Sequence, residues 1–290
     1  MISLLVTDLD NALYDWVTAF VPAFYAMVRT ASDILGVDQE QLLDDLKAVH
    51  QRYHNSEQPF ALLETQAVLT RFPGLSPLER KNHLETAFFE FNDIRRQNLQ
   101  LYPGVRDTLQ AIRKAGCLVI GHTEAVVENS LHRLEILNLV DEMDGLYAPA
   151  TRSQGHPDQA YTPIHERYPD FVHLLSPYHH KPDPTVLKEI CEHHSIPVDH
   201  TLYVGDSMTR DISMAKAAGT YAAWARYGSN HDPDLWQKLV RVTHWTADDV
   251  AKEKRLREEF QDIHPDVEID NFSELLSYFS FGPPVAAYAS

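Results

Sequence analysis

The spacing of hydrophobic residues changes twice along this chain. Ile2–Thr7 is a short apolar run, rich in β-favouring residues, that stops at carboxylates. That is the pattern of a parallel strand buried on both faces. From Trp16 to Gln97 apolar residues recur at helical spacing, as in Phe20, Phe24, Met27, Val28 and Ala31. Gly36, Pro59, Pro73-Gly74 and Pro77 divide this stretch into four or five expected helices, with no strand among them. After Tyr102-Pro103-Gly104 the two periods alternate. Helices are expected at Val105–Ala115, Val126–Leu137, Pro184–His194 and Ile212–Ala218, and strands at Cys117–Gly121, Gly145–Tyr147, Thr201–Val204 and Tyr221–Ala225. Alternating strands and helices imply a mainly parallel sheet with right-handed crossovers.

The fold class expected is therefore α/β: a Rossmann-like parallel sheet core formed by residues 1–14 and 100–290, with a separate α-helical domain, residues 15–99, inserted after the first strand. Two segments stand outside this rhythm. Residues 148–178 form a long connection rich in Pro, His, Tyr and Asp; its aromatics give it something to bury, and it is expected either to pack against the helical insert and narrow an entrance or to be a surface excursion or dimer contact. Residues 228–267 are charged, carry Trp236 and Trp245, and contain an expected helix at Ala247–Phe260. Ile269–Tyr278 reads as a last strand edge and helix, and Phe281–Ser290 as a loosely held tail.

Composition narrows the function. Apolar residues at 44% and charged residues at 23% of 290 are ordinary for a globular protein. Lys and Arg number 25 against 42 Asp and Glu, a net charge of −17 that argues against nucleic acid or an anionic membrane as partner. An anionic substrate would need local cations or a metal to enter against that field. Two cysteines, Cys117 and Cys191, make no disulfide framework, and no apolar run is long enough for a membrane span or signal core. A reducing, cytoplasmic location is expected.

In open parallel sheets, ligands bind beyond the carboxyl ends of the strands. The first strand ends in Asp8-Leu9-Asp10, the second in His122-Thr123, and the Thr201–Val204 strand in Gly205-Asp206-Ser207 with Asp211 one turn on; Lys181-Pro182-Asp183-Pro184 precedes a helix. The topology thus gathers four carboxylates, a hydroxyl and a lysine at one edge. Carboxylates without His or Cys suit Mg²⁺, lysine and hydroxyl suit an oxyanion, and an aspartate can act as nucleophile through an acyl phosphate.

These strings, Asp8-Leu9-Asp10-Asn11, Thr123, Lys181-Pro182-Asp183-Pro184 and Gly205-Asp206-Ser207 with Asp211, resemble in order the four motifs of the haloacid dehalogenase-like hydrolase superfamily. The resemblance covers residues 1–14 and about 100–226, and the helical insert resembles that superfamily's cap domain. It implies a Mg²⁺-dependent phosphatase acting on a small-molecule phosphate ester. Asp8 would be the nucleophile and Asp10 the acid–base. Thr123 and Lys181 would bind phosphoryl oxygens. Mg²⁺ would be held by the Asp8 side chain, the Asp10 carbonyl and Asp206, with Asp211 behind them or reaching the metal through water. Dehalogenases of the superfamily lack the second Asp of the first motif, so Asp10 points to a phosphatase. The string running on to Leu13-Tyr14 leans toward a nucleoside monophosphate, with a phosphoglycolate-like compound also open. Ala12 and Glu124 depart from the usual pattern and keep open a non-catalytic binding protein; a sugar phosphomutase is a third reading. Arg52, Tyr53, His54 and Glu124 are candidates for substrate contact. Cys191, His193 and His194, or His179 and His180, lack a zinc-ligand framework and are expected on solvated faces.

Overall fold

The computed structural model describes residues 1–151, 156–260 and 262–284. A single parallel sheet forms the core. Its strands are β1 (Leu4–Thr7), β2 (Leu118–His122), β3 (Gly145–Pro149), β4 (Val172–Leu175), β5 (Thr201–Gly205), β6 (Tyr221–Ala225) and β7 (Val267–Ile269), in the order β4-β3-β2-β1-β5-β6-β7. Every pairing is parallel; Leu4 lies beside both Leu118 and Thr201. The central strands are buried throughout, as their unbroken apolar runs require. Successive residues feed opposite faces: Leu5, Val119, Leu202 and Val204 pack into one cluster, and Leu4, Val6, Ile120 and Tyr203 into another.

Between β1 and β2 the chain forms α1 (Trp16–Leu35), α2 (Gln39–Tyr53), α3 (Gln66–Arg71), α4 (Pro77–His83) and α5 (Glu85–Asn98). Local chemistry sets the ends of α1: the Asp15 side chain accepts from Thr18 N at 2.9 Å, and Gly36 takes the left-handed conformation at φ 70° that closes the helix. The buried residues of α1, including Val17, Phe20, Phe24, Val28 and Ala31, make a third cluster with Leu42, Leu46 and Val49 of α2, distinct from the two on the sheet. The remaining helices are α6 (Val105–Lys114), α7 (Val127–Ile136), α8 (Pro184–His193), α9 (Ser213–Ala218), α10 (Pro233–Val242), α11 (Ala247–Glu259) and α12 (Leu275–Tyr278).

Three features depart from the sequence reading. Residues 148–178 supply an edge strand, β4, pairing Leu146 with Val172 and Pro149 with Leu175. Its burial is only partial, as fits an edge strand, although Val172, Leu174 and Leu175 are apolar. Second, α10 packs Leu239 and Val242 into the α1–α2 cluster, so a late part of the chain returns to the helical block. Third, the start of the tail is held: Phe281 bridges Ile2, and Gly282 N donates to Ile2 O at 2.9 Å. Residues 285–290 of the expected loose tail lie outside the described residues. Among the described residues no helix is long and apolar enough to cross a membrane.

Candidate active site

The strand order reverses direction between β1 and β5, and the loops leaving those two strands open a crevice between them. Asp8 follows β1 and Asp206 follows β5. Asp211 returns toward them on a π-type turn, Met208–Ile212. This return requires Gly205, since a Cβ there would lie 2.3 Å from the Asp211 carboxyl carbon. Carboxylate oxygens of Asp8, Asp206 and Asp211 lie within 4.8 Å of one another. Lys181 is buried among them, its Nζ donating to Asp8 Oδ1 at 2.8 Å and to Asp211 Oδ1 at 2.9 Å. Asp211 is further fixed by the Tyr203 hydroxyl at 3.3 Å and by Ser207 N at 3.0 Å.

Burial is costly for this charge set. It pushes the Asp8 carboxyl up to about 7, against the pull of Lys181 and with the push of Asp211. Burial, then Asp211 and Asp8, hold Asp206 well above the usual carboxylate range. Three carboxylates face one lysine, leaving two negative charges uncompensated when all are ionised. An oxygen-only donor set with that excess fits a hard divalent cation such as Mg²⁺. Among the described residues this is the one such acidic, Cys or His cluster.

Asp10 lies apart from that cluster. Its carboxylate takes Arg133 Nη1 on both oxygens, at 2.7 and 2.9 Å. The other nitrogen of Arg133, Nη2, reaches both oxygens of Glu57. The Arg133 side chain is 1% exposed. Thus α7 links the first motif to the loop after α2. Burial raises the Asp10 carboxyl, Arg133 opposes the rise and Glu57 adds to it. Neither Arg133 nor Glu57 was legible as a site residue. The one signal was an arginine on the buried face of a helix, beside Ser130 and Leu134.

Removing one partner from such a buried pair leaves an uncompensated charge, worth about 3–5 kcal/mol. Arg133→Met is therefore expected to lower unfolding stability by about that amount in a denaturant titration, with Glu57→Leu added to it restoring a part. A loss below about 1 kcal/mol would mean that water already screens the group as at an exposed pair.

Thr123 sits buried at the end of β2, where its hydroxyl accepts from Ala125 N at 3.0 Å and caps the following turn. Glu124 is no loose charge at the mouth. It accepts from Lys181 N at 3.1 Å and Arg210 Nη1 at 3.2 Å, and meets His180 Nδ1 at 3.3 Å. Burial alone would raise its carboxyl, but His180, Arg210 and Lys181 together hold it well below the usual range. Glu124 and Lys181 border a cavity of about 240 Å³ with Tyr53, His54, Arg210 and His244. Tyr53 and His54 thus come to the mouth. Arg52 does not; it is exposed and pairs with Glu64 at 3.1 Å. The expected solvated placement fails for His179 and Cys191, both buried: His179 Nε2 meets His122 Nε2 at 3.0 Å. Gly228, also unforeseen, packs where a Cβ would lie 2.0 Å from Asn11 O, and Tyr227 donates to Ala12 O at 2.6 Å. The loop after β6 therefore braces the first motif at the position where the sequence departs from the usual pattern.

Comparison with known proteins agrees with this geometry. A model of the haloacid dehalogenase-like hydrolase family matches residues 2–219. A phosphoglycolate phosphatase of Vibrio cholerae is 28% identical over 232 residues, 79% of this chain and 87% of its own length. Another, of Pseudomonas fluorescens, is 28% identical over 158 residues, 54% of this chain and 48% of its own. Among solved structures, a 2-haloacid dehalogenase from Pseudomonas syringae superposes with a TM-score of 0.57 at 21% identity, covering 96% of this chain and 97% of that one. A HAD phosphatase from Thermococcus onnurineus gives 0.55 at 15% identity, over 98% and 100%. At these identities the structures speak for the fold alone. The sheet, the order of the acidic loops and the family match converge: this chain belongs to the haloacid dehalogenase-like hydrolase family.

Proposed function

We propose that this protein is a Mg²⁺-dependent phosphomonoesterase for a small phosphorylated metabolite. The observation that carries the reading is Lys181, held between Asp8 and Asp211 at 2.8 and 2.9 Å in the crevice where Asp206 also lies. Asp8 attacks phosphorus, its oxygen forming the new P–O bond while the ester P–O bond breaks. Asp10 gives its proton to the leaving oxygen, then takes one from the water that releases the phosphoryl group from Asp8. Lys181 and Thr123 bind phosphoryl oxygens, and Asp211 with Tyr203 holds Lys181 in place. Asp8, the Asp10 carbonyl and Asp206 would hold Mg²⁺, with Asp211 behind them, and the bound ion would supply positive charge to the phosphoryl oxygens. Residues 15–99 act as a cap over this crevice, with Tyr53, His54 and Glu124 at the substrate mouth.

The 240 Å³ cavity, with Lys181 and Arg210 in its wall, favours a compact, anionic substrate, and the names of the relatives favour a phosphorylated acid over a nucleotide. Two free, buried cysteines fit a cytoplasmic location. The test is phosphate release from 2-phosphoglycolate, nucleoside monophosphates, sugar phosphates and a nitrophenyl phosphate. Turnover with Mg²⁺ is expected, lost on chelation and restored by adding the ion back. A folded, Mg²⁺-loaded protein that releases no phosphate from any of them overturns the reading. Preference for 2-phosphoglycolate over nucleotides supports the narrower substrate class.

A further inference from the structure

A second and larger cavity, about 740 Å³, lies between the helical block and α7, with residues 156–165 along one side. None of Asp8, Asp10, Thr123, Lys181, Asp206 or Asp211 lines it, and it meets the smaller cavity at Gln58. Five phenylalanines, Phe20, Phe24, Phe60, Phe88 and Phe91, make much of its wall. Its size is that of a small-molecule site. Its polar groups are unevenly satisfied. Glu57 is taken by Arg133, and Glu128 by Tyr161, His165 and Ile164 N. The donors are left over. Arg95 is 9% exposed and stacks on Phe91 at 4.9 Å. Its one hydrogen bond among the described residues goes to Asn92 Oδ1 at 3.0 Å, and it has no carboxylate partner there. Its Nε and the Nε2 of Gln58 are both buried without an acceptor. Burial lowers the guanidinium only to about 10, so it stays cationic at neutral pH.

Arg95 and Gln58 of the wall thus each carry a buried N–H without an acceptor, which costs stability unless an acceptor reaches it. We propose that this cavity is a second ligand site for a small amphipathic anion, a carboxylate on an apolar or aromatic body, with Arg95 and Gln58 holding the carboxylate and the phenylalanines the body. The site does not depend on the phosphatase reading. Because Glu57 lines it and also holds Arg133, a ligand there abuts the link to Asp10.

The test is calorimetric titration of the full chain with 4-phenylbutyrate and with its neutral amide, with and without saturating inorganic phosphate and Mg²⁺. Saturable binding of the carboxylate is expected, unchanged by phosphate and at least about tenfold tighter than that of the amide. Arg95→Met should weaken it by about tenfold or more, and Arg95→Lys by less, since the charge remains. Should Arg95→Met fail to fold, Gln58→Leu carries the test, with an expected loss of roughly three- to tenfold. Equal binding of acid and amide, wild-type affinity in the folded variants, or no saturable binding overturns the site. Competition by phosphate also overturns it, because the carboxylate would then occupy the catalytic crevice.

Discussion

Asp8→Asn is expected to abolish phosphate release, by at least about 10⁴-fold, while the protein folds normally. An amide oxygen is a poor nucleophile toward phosphorus and a weak ligand for a hard cation. The side chain keeps its shape, and its Oδ1 still accepts from Lys181 Nζ, so nothing in the packing is lost. Stability adds a second readout. In the metal-free protein the Asp8 carboxyl is pushed up to about 7, chiefly by burial. A carboxyl raised above its unfolded value costs stability as pH rises from that unfolded value toward the raised one. Removing the charge should therefore leave the Tm of the metal-free variant at or above that of the wild type at neutral pH, while Mg²⁺ raises its Tm less. Near-normal turnover in this folded variant would remove Asp8 as nucleophile. A large fall in Tm without metal would mean that Asp8 is an anchor for Lys181 instead.

Asp10→Asn is expected to lower turnover by roughly 10²–10⁴-fold on alkyl phosphates, the usual worth of a general acid–base. The loss should shrink on nitrophenyl phosphate, whose leaving oxygen needs little protonation. Equal losses on both substrates would take the proton-transfer role from Asp10. Asp10 lies two residues beyond Asp8, and burial raises its carboxyl, the direction a proton donor needs. Arg133 opposes that rise, so the ion pair tunes the residue as well as holding it. The same substitution leaves Arg133 with Glu57 as its remaining carboxylate, and a fall in stability is expected beside the kinetic effect. Measuring Tm with kcat separates the two.

Much of the fold was legible because the sequence states it locally. The runs at Leu4–Thr7 and Thr201–Gly205 are strands buried on both faces, which favours continuous apolar residues, and Tyr221–Ala225 is buried at Ala222, Ala223 and Ala225. The helices were legible from their apolar spacing and from the Gly and Pro breaks between them; the caps that fix their starts, Asp15 for α1 and Asp183 for α8, show only in the structure. β4 escaped although residues 171–175 are apolar but for His173: it sits inside a connection rich in Pro, His and Asp, and its pairing with β3 is backbone chemistry that side chains do not announce. α10 lies in a charged stretch, yet Leu235, Leu239 and Val242 recur there at helical spacing; what the sequence did not state is that they pack against α1 and α2. The long connection does touch the helical block, His156 packing its ring on Phe60 at 4.9 Å, but its main partners are Glu128 on α7 and the second cavity.

For the site, the sequence by itself determined which groups lie at strand ends. A parallel sheet brings every strand's carboxyl end to one edge, so Asp8, Thr123 and Asp206 were bound to assemble wherever their strands paired. The tertiary structure alone decided which of these carboxylates share a cation and which is held elsewhere. Asp8, Asp206 and Asp211 converge on Lys181, whereas Asp10, two residues from Asp8, is taken by Arg133, more than a hundred positions away, and through it by Glu57. The reason is physical: a buried charge must find its counter-charge in space, and the distance along the chain between the two carries no energy once the fold has brought them together.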